Sequence, residues 1–224
     1  LMDVTPANQS RYLTRRHKMK KSWRRKGLGI ARSAALSVNY LIFNCENELL
    51  KDARIRQAIS LAIDRRKHMA PIIGPRGQVI DAPIPPGFPE YAVLTRLPPN
   101  RRRRNVELAR TLLAEAGHAE GKDLPEFLFD TAGAELDPLT LTAIKGMIAD
   151  VAEIGIRIQH RPGNFNTFMD RCRRGDLQIG WVSWYADYPD VENFLGLFRS
   201  GGRIENHGYN YGNYSNPKFD ALYD

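Results

Sequence analysis

From Asn105 onward, helical and strand patterns alternate along the chain, and a glycine closes each helix. Asn105 opens a helix that runs to Ala116, with Val106, Ala109, Leu112 and Leu113 as its apolar stripe and Gly117 as its left-handed cap. Residues 125–130 read as a strand. Residues 136–153 form a longer helix that turns Leu139, Ala143, Met147, Val151 and Ile154 toward the core and stops at Gly155. Residues 156–160 alternate as a strand, residues 165–174 form a helix closed by Gly175, and residues 177–184 are nearly all apolar, the mark of a central strand. The order is αβαβαβ. Strands so spaced share one sheet and the helices between them cover it, which makes this an α/β lobe with a mixed sheet.

The preceding segment supplies one more strand and helix. LSVNYLIFN, residues 36–44, is apolar, rich in strand formers and ended by Asn. Asp52 caps a helix whose stripe is Ile55, Ala58, Ile59, Ala62 and Ile63, with Arg54, Gln57 and Arg65 outward and Pro71 and Gly74 as stops. Residues 71–100 then read as loop. APIPPGFPEY and the LPPN after it hold too many prolines for helix or central strand, so the chain is expected to lie extended over the surface. Ordered loops of that length are commonly functional.

Charge divides the molecule. The net charge over 224 residues is +8, but residues 1–35 hold ten Lys or Arg against one acid, Asp3. The remaining residues carry 23 basic against 24 acidic groups. The expected domains are therefore a basic head, residues 1–35, and a body, residues 36–224. A basic head binds nucleic acid or an anionic surface, or is a solvated segment with no partner. Its aromatics, Tyr12 and Trp23, are too few for a stacking platform, so no nucleic-acid partner is expected. At 42% hydrophobic the chain can bury one sizeable core or two small ones, and no apolar run approaches the ~18 residues of a membrane helix. No apolar run followed by a cleavage site marks a secretory signal in residues 1–35. Cys45 and Cys172 lie far apart and outside any CxxC pair, and the five histidines are scattered, so neither a disulfide nor a metal site is read from spacing. No nucleophile–base pattern or phosphate loop is present, and neither an enzyme nor a cofactor is expected.

One run mixes rings and acids: GWVSWYADYPDVENFLGLF, residues 180–198. The strand reaches Trp184 with Trp181 in the core, residues 185–189 turn, and Asp190 caps a short helix that includes Phe194 and Leu195. Open α/β folds bind ligands at the carboxyl ends of their strands, where Asp187 would sit. A carboxylate among aromatic faces can hold an ammonium group, with Trp184, Tyr185 and Tyr188 adding cation–π attraction of ~0.5–2 kcal/mol. The alternative is a turn-forming aspartate that bonds nearby backbone N–H groups. Phe88 and Tyr91 on the proline loop either line a pocket or pack the surface. Tyr209, Asn210 and Tyr211 belong to a glycine-bearing stretch suited to closing over ligand. Arg161 and Arg203 either meet a ligand carboxylate or stay solvated.

Several stretches in order resemble one family, the family 5 solute-binding proteins of bacterial ABC importers, which bind dipeptides, oligopeptides and nickel. They are NYLIFN with DARIRQAISLAIDRRK, APIPPGFPEY, NVELARTLLAEAGHAEGKDLP, the stretch from MIADVAEIGIRIQHRPGNFNTFMDRCRRGDLQIGW to the acidic loop ADYPDVENFL, and NYGNYSNPKFDALYD. The resemblance covers residues 36–224, with LMDVTP as a weak extension, while residues 11–35 depart from the pattern. It implies a periplasmic-binding-protein type II-like lobe, part of a two-lobed protein that closes on its ligand, of which this chain resembles the C-terminal half. It also implies capture of a peptide or similar small solute, a membrane permease as partner, a monomer, and a place in the periplasm or on the outer surface. In peptide-binding members the aspartate at the position of Asp187 grips the ligand's α-ammonium. Two alternatives stand beside this reading: a nucleic-acid-binding protein led by the basic head, and a truncated product that folds poorly.

Overall fold

The computed structural model describes residues 9–14, 18–31, 35–73, 77–94, 104–133, 135–204 and 208–224. Gly74, the LPPN segment and residues 101–103 lie outside them. The chain forms two units, Leu1–Ala35 and Leu36–Asp224.

In the first unit two short helices, α1 (Gln9–Tyr12) and α2 (Lys21–Arg24), flank an antiparallel bridge between Leu13 and Met19. The unit's two aromatics hold it together. The Tyr12 and Trp23 rings lie 5.1 Å apart, and Trp23 Nε1–H donates to the Arg11 carbonyl at 3.0 Å.

The second unit is built on a four-stranded sheet of β1 (Ser37–Phe43), β2 (Phe127–Ala132), β3 (Ile158–Gly163) and β4 (Ile179–Tyr185), in the order β1-β4-β2-β3. β2 runs parallel to β3 and β4, while β1 runs antiparallel to β4. β4 is therefore interior, as its apolar run requires. Period-two alternation sends side chains to opposite faces. Leu41, Phe43, Phe127, Phe129, Ile179 and Trp181 join one core with the helices α3 (Ala53–Ala62), α6 (Val106–Glu115) and α7 (Pro138–Ala152). Tyr40, Ile42 and Val182 face the other way, against Phe168 and Cys172 of α8 (Phe165–Arg173).

The caps follow the sequence. Asp52, Asn105, Asp137 and Asn164 each accept backbone N–H groups at the starts of α3, α6, α7 and α8. Gly117 and Gly175 take the left-handed conformation after α6 and α8. Gly155 (φ +84) has a second reason to be glycine: a Cβ there would stand 2.0 Å from the Glu120 carbonyl oxygen.

Four expectations change. The helix from Asp52 is two: α3 ends at Ala62, Ile63 is extended, and α4 (Arg65–Ile73) begins afresh. The break is held by Asp150 of α7, whose Oδ2 accepts the Asp64 N–H at 2.7 Å and lies 2.8 Å from His68 Nε2 of α4. Asp64 Oδ1 accepts the Lys67 N–H and caps the new helix. Pro71 lies inside α4, in its last turn, instead of stopping it. Leu139 is 55% exposed, and Ile144 takes the core position on α7. The proline loop is pinned inward: Ile84 and Phe88 are buried with Val38 and Phe194, and residues Tyr91–Leu94 form a short helix, α5.

Candidate functional site

The carboxyl ends of β2, β3 and β4 point to one edge of the sheet, and β4 reaches farthest. Its pairing with β2 stops at Trp181, whereas β1 follows it to Tyr185. Trp184 and Tyr185 therefore overhang the sheet beside β1, with Asp187 and Tyr188 on the loop beyond. Residues 177–198 contain Asp187, Asp190 and Glu192 and no Lys, Arg or His. On a chain of net positive charge this edge is locally acidic.

Asn193 organises the loop from the start of α9 (Glu192–Leu195). Its Oδ1 accepts Trp184 Nε1–H at 2.8 Å and the Asp187 N–H at 3.3 Å. Phe194, fully buried, anchors α9 against Phe88, with ring centroids 5.8 Å apart. Asp190 accepts the Glu192 N–H at 2.8 Å, the capping bond its sequence position suggests, although Val191 is the residue at the helix boundary. Glu192 receives the hydroxyls of Tyr188 (3.1 Å) and Tyr223 (3.0 Å). Tyr223 lies on α10 (Pro217–Tyr223), and burial together with the bond to Glu192 pushes its phenol up to about 12.

Two of the three acids are thus committed. Asp187 is exposed, and among the described residues its carboxylate meets no donor, so the turn bond that would explain it structurally is made by Asn193. Beside it lie aromatic faces. The Trp184 ring is 4.8 Å from Tyr209, and Tyr209 meets Tyr211 edge to face at 6.5 Å. Tyr185, Tyr188 and Tyr209 are 68%, 46% and 53% exposed. Such an edge can hold a cation by charge and ring face together.

The segment bearing Tyr209 is pinned, not a free flap. Asn210 is 1% exposed, donates to the carbonyls of Arg199 (3.1 Å) and Tyr214 (2.8 Å), and accepts the Tyr214 N–H. The two arginines are engaged elsewhere. Arg161 on β3 grips Asp130 of β2 through Nε (2.7 Å) and Nη2 (2.8 Å), and Arg171 of α8 meets the same carboxylate. Asp130 is fully buried, so this charge has its required partners. Asp130 lies level with Gly180 on β4, five residues before Tyr185 and about 17 Å along the strand from it. Arg161 is therefore set apart from the aromatic edge by a bond it needs for its own buried partner. Arg203 pairs with Glu46. Burial pushes the Cys172 thiol up to about 12, and no cluster of three or more His, Cys, Asp or Glu among the described residues is placed to hold a metal ion.

Sequence reasoning missed Asn193 and the Asp130 pair. Asp130 carried a signal, a lone acid inside FLFDTA; Asn193, polar in the first turn of a short helix, carried a faint one.

Known proteins share this architecture. The structure of DppA from Helicobacter pylori, in complex with peptide STSA, superposes with a TM-score of 0.73 over 91% of this chain and 38% of that one, at 22% identity. Heme-binding protein A of Haemophilus influenzae is 27% identical over 187 residues, 84% of this chain and 33% of that protein. Probable di/tripeptide-binding protein 5 of Pseudomonas aeruginosa is 28% identical over 197 residues, 87% and 35% of the two. The chain thus spans about a third of the length of these relatives. The family profile described as bacterial extracellular solute-binding proteins, family 5 Middle, matches residues 2–206. That match runs through both the basic unit and the sheet, and by it the chain belongs to the family 5 bacterial extracellular solute-binding proteins.

Proposed function

We propose that the chain acts as part of the substrate-binding component of an ABC importer, capturing a peptide or a similar small solute for a membrane permease. It works by binding and not by catalysis, as a monomer, outside the cytoplasmic membrane. Two similar proteins support the ligand class: one is named for di- and tripeptides and the other is solved with the peptide STSA. The observation that carries the proposal is Asp187, an exposed carboxylate with no donor among the described residues, on an acidic edge walled by Trp184, Tyr188 and Tyr209. Asp187 takes the α-ammonium of the solute and the rings bear on its face. Arg161 and Arg203 each already bind a carboxylate of the chain, Asp130 and Glu46.

Calorimetry with di- to hexapeptides tests this. The expected result is binding of peptides with a free amino terminus and at least tenfold weaker binding of their N-acetylated forms, since a charge-assisted hydrogen bond is lost. Equal binding of both forms would remove Asp187 from the site.

A further inference from the structure

The sequence has no acidic residue between Asp3 and Glu46, yet that interval holds ten Lys or Arg. Five fall within seven residues, at Lys20, Lys21, Arg24, Arg25 and Lys26, on α2 and the turn after it. Every salt bridge among the described residues lies in the second unit, so none offsets this charge. Lys20 donates to the Ser10 carbonyl, while the other four are exposed. Gly27 then turns the chain with a positive φ, and two aliphatic side chains follow, Leu28 at 49% and Ile30 at 38% exposed. Four exposed cations are thus followed within four residues by two exposed aliphatic chains.

The partner must satisfy both. An anionic bilayer does: its phosphates meet clustered Lys and Arg, and its hydrocarbon boundary accepts apolar side chains. A nucleic acid offers phosphates but no apolar layer, and base stacking needs open ring faces. Tyr12 is buried against Trp23, and the Trp23 ring is itself covered by the Lys26 ammonium at 4.9 Å. We propose that residues 20–30 bind the surface of an anionic phospholipid bilayer, with Lys21, Arg24, Arg25 and Lys26 among the headgroups and Leu28 and Ile30 at the acyl boundary.

Cosedimentation of the full chain with vesicles at about 0.1 M salt tests this without any solute. Binding is expected to vesicles containing phosphatidylglycerol and not to phosphatidylcholine alone. The K21Q/R24Q/R25Q/K26Q variant is expected to lose at least a hundredfold in partitioning, at about fivefold per charge. The L28S/I30S variant is expected to lose about tenfold on the same vesicles. These side chains are exposed, and the comparison of lipids on the unmodified chain needs no variant. Absence of binding to the anionic vesicles overturns the proposal. So does binding that ignores Leu28 and Ile30, or a DNA duplex that strips the chain from vesicles with the same affinity for parent and L28S/I30S, which would make nucleic acid the partner. Peptide calorimetry reads a different part of the chain, so failure here leaves the solute site standing and failure there leaves this surface standing.

Discussion

At the scale of single residues, Asp187 and Asn193 should separate cleanly. Asp187 is exposed and makes no side-chain bond among the described residues, so Asp187→Asn is expected to leave the melting temperature within a degree or so of the parent. The same substitution should weaken binding of an amino-terminal ammonium about 10- to 100-fold, read by calorimetry. Asn193→Ala does the opposite first. It strips an acceptor from the Trp184 indole and the Asp187 amide, and should cost about 1–3 kcal/mol in urea unfolding as well as binding. A role for Asn193 in fold alone would show as lost stability with unchanged affinity at low temperature. Asp130 tests the buried triad. Asp130→Ala leaves Arg161 and Arg171 facing each other without their shared anion, and a loss of about 3–5 kcal/mol is expected.

At the scale of elements, the site depends on how β4 and the loops around it are tied down. Asn210 pins the segment carrying Tyr209 through three hydrogen bonds in a nearly closed site. Asn210→Ala should therefore cost about 2–3 kcal/mol and weaken solute binding, because Tyr209 loses its position against Trp184. Unchanged affinity would mean that Tyr209 takes no part. The elements themselves were largely legible in the sequence. Stripes such as Ala109, Leu112 and Leu113, caps such as Asn105 and stops such as Gly117 are local signals, and the chain obeys them. What misled was decided at long range. The break at Ile63 follows from Asp150, 87 positions away, and on α7 the buried position falls to Ile144 while Leu139 is left exposed. The candidate site was half legible for the same reason. Asp187 stood out by its company of rings, whereas Arg161 looked available only because its partner Asp130 lies 31 residues earlier, on the neighbouring strand.

At the scale of the whole molecule, the body of residues 36–224 has one large core on one sheet face and two smaller clusters on the other, enough for a cooperative melt by circular dichroism. Its pH profile follows from groups that burial perturbs. Cys172 and Tyr223 keep their protons to about pH 12, above their ordinary values of 9.0 and 10.0, and Tyr40 and Tyr211 are raised in the same direction by burial. The unfolded chain releases those protons first, so their contribution is complete below pH 9 and lost as pH rises toward 12. On the acid side burial lowers His160 from 6.5, so the unfolded chain takes that proton first and stability falls as pH drops through that value. Urea midpoints against pH are expected to form a plateau between these limits; a midpoint still rising above pH 9 would contradict the burial of Cys172.

The central claim is that Asp187 and its rings receive an ammonium group, and amide and indole NMR of the isotope-labelled chain reads it most directly. Trialanine, titrated to about 10 mM so that even weak binding registers, is expected to move the Trp184 indole N–H and the amides of Asp187 and Tyr209. N-acetyl-trialanine should leave them in place, as should trialanine added to Asp187→Asn. Equal shifts with both peptides, or none at that concentration with either, would contradict the account.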